Sequence, residues 1–142
     1  MIKAKLVKLL MRHEGLKLHP YVDTVGKTTI GIGRNLTDNG ISNEEALLLL
    51  DNDINTIYLD LQHGFSWFNA MNNARQTAIC DMAFNLGMPH FKEFAKMIAA
   101  LQNQDYTEAA KEMLDSKWAG QVAQRAQELA RVIENGALME DL

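Results

Sequence analysis

The stretch that decides the fold is residues 14–34, which read EGLKLHPYVDTVGKTTIGIGR. Its β-branched residues form two short runs around a turn at Val25-Gly26, and this pattern predicts a small β-hairpin. The residues before it predict a helix, because Gly15 stands where a C-terminal cap belongs and apolar side chains recur at helical spacing, at Ile2, Leu6, Leu9 and Leu10. Glu14 is therefore expected at the end of the first helix.

The rest of the chain predicts helices. Ser42 and Glu45 form a capping box that opens a long helix ending near Gln62. A helix over Asn73–Leu86 is expected to stop at Gly87. Apolar spacing predicts three more helices, over about 91–101, 105–114 and 122–135.

These elements predict an α+β, mainly α fold. We expect one domain over residues 1–142, in which a small β-containing lobe with its connecting helix covers about 15–60. Residues 1–14 and 61–142 are expected to form a larger helical lobe. A ligand-binding cleft is expected between the two lobes.

Composition and charge exclude several classes of function. With 142 residues, 47% of them hydrophobic and 23% charged, the chain is of globular type. Cys80 is the one cysteine and the four histidines lack metal-ligand spacing, so neither a metal nor another cofactor is expected. The net charge of −4 argues against nucleic acid as a partner. However, residues 1–35 carry seven Lys and Arg against two acids, whereas residues 36–115 carry four against twelve. The basic first third of the chain could bind an anionic polymer. Alternatively, it could be a basic helix that only faces solvent.

Three residues around the hairpin are candidates for chemistry: Glu14, Asp23 and Thr29. Cleavage of a glycosidic bond uses two carboxyl groups, one protonated and one ionised, on either side of the bond. A hydroxyl such as that of Thr29 can orient a water molecule but is too weak a base to activate it alone. The alternative is structural: Glu14 as a solvated acid at a helix end and Asp23 as a turn residue.

Residues 14–34 closely resemble the active-site signature of phage lysozymes, the T-even-type endolysins of glycoside hydrolase family 24. Further stretches fall in the order and spacing of that family, namely 47–53, 82–87, Phe94, 108–110, 116–118, Gln121 and 125–126. The resemblance implies a lysozyme-like fold and a muramidase that hydrolyses the β-1,4 bond between N-acetylmuramic acid and N-acetylglucosamine in peptidoglycan. It implies that Glu14 is the general acid and that Asp23 and Thr29 hold the attacking water. We expect inversion, with the carboxyls about 6.5–9.5 Å apart.

The resemblance also assigns supporting roles. Arg125 matches an arginine that contacts the catalytic glutamate, and Gln121 is expected nearby. Arg34 stands where the best-known relatives carry histidine, and Asp53 matches the acidic partner of that histidine, so we expect an Arg34–Asp53 ion pair. Phe84 matches an aromatic residue of the family's cleft. Asn35, Met97 and Glu112 fall at positions that line the substrate groove in relatives, although the residue differs from that of relatives at each of the three. Core packing is the alternative for Phe84, and Trp118 is expected to be a buried anchor beside the cleft.

Partners and location follow from the same resemblance. The expected partner is peptidoglycan, without stable membrane association, and the expected state is a monomer. No signal peptide or membrane span is recognisable, so release to the periplasm after synthesis in the host cytoplasm is expected to need a holin-type pore. Two alternatives remain: a catalytically silent module that binds peptidoglycan, and a lytic transglycosylase. The presence of Asp23 disfavours the second, because a transglycosylase needs no water-activating acid.

Overall fold

The computed structural model describes residues 1–139, and the chain divides into two compact units, Met1–Leu49 and a second unit from Leu50 onward. The first unit contains α1 (Lys3–Glu14), β1 (Lys17–Val22), β2 (Thr28–Gly31), β3 (Arg34–Asn35), α2 (Leu36–Asn39) and the first turns of α3 (Asn43–Gly64). The second contains the rest of α3, then α4 (Ser66–Ala70), α5 (Asn73–Leu86), α6 (Met88–Phe91), α7 (Ala95–Gln102), α8 (Tyr106–Leu114), α9 (Lys117–Val122) and α10 (Gln124–Asn135). The mainly helical α+β class is confirmed. The single domain with residues 1–14 in the helical lobe stays a prediction.

The sheet of the first unit is antiparallel, in the order β1-β2-β3. Thr29 lies opposite Tyr21 of β1 and opposite Asn35 of β3. The register between β1 and β2 shifts between Lys17 and Tyr21. The hairpin is therefore confirmed, and a third strand of two residues extends it beyond the prediction.

The predicted helix boundaries of the first unit depend on local caps. Gly15 follows α1 with φ +75°, a conformation that glycine adopts at little cost, and its N–H donates to the carbonyl of Met11. The capping box is present, because Ser42 N donates to Glu45 Oε1 (2.9 Å) and Glu45 N donates to Ser42 Oγ (3.1 Å).

The core of the second unit is built mainly from helices α5, α7, α8 and α10. α10 packs on α5 and α8, and α7 packs on α8. The largest fully buried side chains are Phe68, Phe91, Leu61, Ile79, Met82, Met97, Leu101, Met113 and Ile133. α5 has the predicted bounds, and α10 stops before Gly136, which adopts the left-handed conformation expected of a helix stop.

Arg75, on α5, forms hydrogen bonds with the C-terminal end of α10. Its Nε donates to the Ile133 carbonyl (2.7 Å) and its Nη2 to the Glu134 carbonyl (3.1 Å), while its guanidinium lies 3.7 Å above the centre of the Tyr106 ring. A cation at these carbonyls suits the negative end of the helix dipole. A Cβ atom at Gly136 would stand 3.0 Å from this guanidinium, so a larger residue there would displace the Arg75 side chain by a few tenths of an ångström.

Three predicted helix boundaries are corrected. α3 continues to Gly64, two residues past the expected end. The helix expected over 91–101 is two helices, α6 and α7, and Phe94 precedes the second with φ −80° and ψ 60°, outside helical geometry. The helix expected over 122–135 begins only at Gln124, because Ala123, with a φ of +41°, separates it from α9, a helix that the sequence did not predict. Among residues 1–139, none of the helices has the combination of length and apolar character that crossing a bilayer requires.

Candidate active site

Glu14 is the last residue of α1, and its carboxyl group lies against the backbone of Gly33. A Cβ atom built on Gly33 would stand 2.9 Å from Glu14 Oε2 and 3.0 Å from its Cδ, closer than real Cβ atoms approach other atoms. Gly33 lies between β2 and β3 and has φ +72°. Glycine therefore leaves the space that the Glu14 carboxyl occupies, as glycine does where another group approaches a strand closely.

Asp23 lies directly after β1 and is half-buried. Its Oδ1 accepts the N–H groups of Val25 (3.0 Å) and Lys27 (2.8 Å), so this oxygen fixes the turn between β1 and β2. Within residues 1–49, no protein group donates a hydrogen bond to Oδ2. Asp23 is thus a turn residue through one oxygen and keeps the other for a water molecule or ligand.

Thr29 is on β2, is 4% exposed, and is linked to Asp23 through the backbone of Lys27. Its hydroxyl donates to the Lys27 carbonyl (3.1 Å), and the Lys27 N–H donates to Asp23. Because the hydroxyl proton is engaged, the Thr29 oxygen is left as an acceptor for a water hydrogen. The structure therefore brings Asp23 and Thr29 together, and it places Glu14 on the same unit, against the loop between β2 and β3.

The predicted Arg34–Asp53 pair is wrong, because Arg34 binds Glu45. Its Nη1 donates to Glu45 Oε1 and its Nη2 lies against Glu45 Oε2, both at 2.8 Å, and Nη1 also donates to the Gly40 carbonyl (3.1 Å). The planar guanidinium is well suited to this two-point contact. The Arg34 hydrogen bond, followed by those from Ser42, lowers the pKa of Glu45 to about 2, and Glu45 raises the pKa of Arg34. Asp53 lies exposed on α3.

Asn35 serves as the N-cap of α2. Its Oδ1 accepts the N–H of Asp38 (3.0 Å), and its Nδ2 donates to the carboxylate of Asp38 (2.9 Å). This use of the amide is typical of an N-cap and accounts for an asparagine at this position. A role of Asn35 in substrate binding stays a prediction.

An apolar groove of about 570 Å³ in the second unit, here called groove 1, contains two of the predicted residues, Phe84 and Arg125. Phe84 is 43% exposed, so the core alternative for this side chain is wrong. Arg125 Nε donates to Asp81 Oδ1 (2.7 Å), a partner that the sequence did not suggest. Its contact with Glu14 stays a prediction.

Cys80 also lines groove 1, and partial burial raises the pKa of its thiol to about 11, so the group remains a neutral thiol at neutral pH.

A second groove of about 950 Å³ in the same unit, groove 2, contains three more of the predicted residues, namely Met97, Glu112 and Gln121. Met97 is 1% exposed and belongs mainly to the core. Trp118 also lines this groove and is 5% exposed, which confirms a buried anchor. Its indole N–H donates to Asn85 Oδ1 (2.8 Å), and its ring meets Phe94 edge-on. Asn85 has a polar contact here that no sequence pattern indicated.

Comparison with known proteins decides the family. The family model described as phage lysozyme matches residues 11–131, which include Glu14, Asp23 and Thr29 and most of both units. The chain belongs to the phage lysozyme family. The predicted family and the predicted class of enzyme, a lysozyme, are therefore confirmed.

The proteins similar to this chain differ in size. The chain is similar to the probable T4-type lysozyme 2 of Dictyostelium discoideum, with 26% identity over 96% of this chain and 98% of the relative. It is 31% identical to the endolysin of Acyrthosiphon pisum secondary endosymbiont phage 1, over 82% of this chain and 79% of the relative. It is also 32% identical to the pre-baseplate central spike protein Gp5 of Enterobacteria phage T4, over 94% of this chain but only 28% of that protein's length. The region similar to this chain thus makes up nearly all of the Dictyostelium relative but only about a quarter of the spike protein.

Proposed function

We propose that this chain hydrolyses the β-1,4 bond between N-acetylmuramic acid and N-acetylglucosamine in peptidoglycan. The observation that carries the proposal is the arrangement in residues 1–49. The Lys27 backbone links Asp23 to Thr29, and Glu14 lies against Gly33 on the same unit. Two carboxyls and a water-orienting hydroxyl are the groups that an inverting glycosidase requires.

In the first step, Glu14 acts as the general acid and therefore begins with a proton on its carboxyl group. The general acid gives this proton to the oxygen of the leaving sugar as the glycosidic bond breaks. The Glu14 side chain is exposed, so a bound sugar is what removes water from this carboxyl. Gly33 leaves room for the carboxyl beside the strand, because it has no side chain at the place that the carboxyl occupies.

In the second step, Asp23 and Thr29 bind the water molecule that attacks the sugar. Asp23 Oδ2 accepts one hydrogen of the water and takes up its proton during the attack, while Thr29 Oγ1 accepts the other hydrogen and orients it. Asp23 Oδ1 remains bound to two N–H groups, so the carboxylate keeps its position throughout. Direct attack by water on the face opposite the leaving group gives inversion.

Arg125, Gln121, Phe84, Met97 and Glu112 are proposed to support substrate binding from grooves 1 and 2. Within the phage lysozyme family, the biological use we propose is host lysis by a monomer that acts on the wall in the periplasm and depends on a holin-type pore for release. The similarity to a protein named endolysin supports this use.

The test is hydrolysis of purified peptidoglycan by the wild type, Glu14→Gln and Asp23→Asn. We expect the wild type alone to clear a suspension of permeabilised Gram-negative cells and to release reducing ends. NMR of the fresh product is expected to show the α-anomer, the inverted configuration. Binding without cleavage by the wild type would support the silent module, and a 1,6-anhydro product would support the transglycosylase.

A further inference from the structure

α1 carries three cations on one of its faces. Lys5, Lys8 and Arg12 follow one another at spacings of three and four residues, which place side chains on the same side of a helix. All three are exposed. We call this surface the basic face of α1.

The cations of the basic face have no acidic partner within residues 1–49. Over the same residues, Lys27 pairs with Asp38 (3.1 Å) and Arg34 pairs with Glu45. Like charges three or four residues apart on a helix cost a few tenths of a kcal/mol per pair. The basic face therefore contributes unfavourable interactions that no ion pair in its own unit offsets.

The N-terminal end of α1 adds to this cost. Lys3 and Lys5 stand in the first turn, where the helix dipole favours acids, and the first turn contains no acid. Ile2 provides no side-chain cap for the free N–H groups. Of the three cations on the basic face, only Arg12, in the last turn, suits the dipole. Folding alone therefore does not explain this distribution of charge.

The basic face points away from the catalytic carboxyl. Residues two positions apart on a helix differ in direction by about 200°, so Arg12 and Glu14 lie on nearly opposite sides of α1. A polymer bound along the basic face would leave Glu14 accessible. This surface is thus suited to holding a strand other than the one being cut.

We propose that the basic face of α1 binds peptidoglycan strands through the free carboxylates of their stem peptides, as a capture site separate from Glu14; this proposal rests on the proposed function. Residues 36–115 carry a net charge of −8 and repel such a polymer, so attraction to it depends on the basic residues of the first third of the chain. Peptidoglycan is favoured over a phospholipid surface because it is the proposed substrate and repeats its carboxylates along one strand, so that weak contacts add up.

The test measures binding without cleavage. Glu14→Gln protein, which is not expected to cut, is pelleted with purified sacculi, with and without the added changes Lys5→Gln, Lys8→Gln and Arg12→Gln. The matched control adds Lys92→Gln, Lys111→Gln and Arg131→Gln, which remove three exposed cations of the second unit. We expect about tenfold weaker binding and a shallower salt dependence for the α1 variant alone. Amidation of the sacculus carboxylates is expected to abolish the difference.

Three results would overturn the proposal: equal losses in both triple variants, no effect of amidation, or charge-dependent binding to anionic phospholipid vesicles but not to sacculi. The α1 changes are also made with Glu14 retained and assayed on a short soluble muropeptide, where kcat is expected to stay at the wild-type value. A lower kcat there would assign the cations to folding or catalysis and also overturn the proposal. Failure of the wild type to cut this muropeptide would instead refute the proposed function and leave the pelleting result intact.

Discussion

The two units differ in what holds them together. Across residues 1–49 the one buried residue is Thr29, whereas all the buried apolar side chains described lie in the second unit. Two helices of 12 residues show the same contrast: α10 contributes five buried side chains and α1 none. The first unit depends on hydrogen-bonded turns and glycines, and it also carries Glu14, Asp23 and Thr29. Activity and stability should therefore respond to different substitutions.

The largest effect is expected from Glu14→Gln, which removes the proposed acid but retains the shape of the side chain. The rate of peptidoglycan hydrolysis should fall by about a thousandfold, because the amide has no proton to give to the leaving group. The melting temperature should stay within about 1–2 °C of the wild type, since surface substitutions change stability by only about 0.5 kcal/mol. His13→Gln, on the preceding exposed position of α1, is the control and should retain full activity. Retained hydrolysis by Glu14→Gln would remove Glu14 from the mechanism.

A pair of phenylalanines tests the second unit. Phe91→Ala should lower the free energy of unfolding by about 3–5 kcal/mol, because Phe91 is fully buried and the change leaves a cavity. Phe84→Ala should cost about 1 kcal/mol or less, because its ring is 43% exposed, but it should raise KM if Phe84 binds sugar in groove 1. Urea titrations measure the first quantity and initial rates the second. Similar losses of stability in the two variants would contradict the placement of Phe91 in the core and Phe84 outside it.

A pair of glycines tests the position of the Glu14 carboxyl. Gly33→Ala should reduce kcat by about a hundredfold, because the new methyl group displaces the carboxyl from its place. Gly31→Ala is the matched control: Gly31 has a similar φ of +70°, but nothing lies within 4 Å of its Cβ position. Both variants should be destabilised by the same backbone strain, about 1–2 kcal/mol, and only Gly33→Ala should lose activity. Equal kcat values for the two would show that the carboxyl adjusts freely.

The smallest effect concerns the Arg34–Glu45 pair. The pKa of Glu45 lies near 2 in the folded protein, below its ordinary value of 4.5, so the ionised carboxylate stabilises the fold above pH 4.5. This contribution should disappear as the pH falls from 4.5 towards 2. The difference in melting temperature between the wild type and Glu45→Gln should therefore shrink over that interval. Glu44→Gln, its exposed neighbour, should show no such trend, and a constant difference for Glu45→Gln down to pH 2 would refute the pair.

Sequence reasoning succeeded where a structural feature depends on neighbouring residues. Gly15 ends α1, the Ser42–Glu45 box begins α3, and Gly87 and Gly136 stop α5 and α10, because caps act within one turn of the chain. β3 was missed because two residues are too short for an alternating pattern. The break at Ala123 was missed because a positive φ is not expected of alanine.

The sequence also did not predict the contacts between distant residues of the second unit. Arg125 and Asp81 are 44 positions apart, and Trp118 and Asn85 are 33 apart, so no local pattern links them. In the site, the resemblance of residues 14–34 predicted catalytic roles for Glu14, Asp23 and Thr29, and those roles stay predictions. It did not show that the Lys27 backbone joins the last two. Arg34 was given the wrong partner because Asp53 was chosen by the match to the histidine pair of relatives, whereas the arginine of this chain binds Glu45.

The placement of Trp118 beside groove 2 has a practical consequence for spectroscopy. Tryptophan occurs only at positions 67 and 118, so both fluorophores lie in the second unit, and the first unit contains none. Trp67 packs against Phe65 in the interior, whereas Trp118 borders groove 2. Tryptophan emission should therefore follow events around groove 2 and melting of the second unit, while loosening of residues 1–49 leaves it unchanged. Circular dichroism recorded beside fluorescence would show whether the two units melt in one transition or in two.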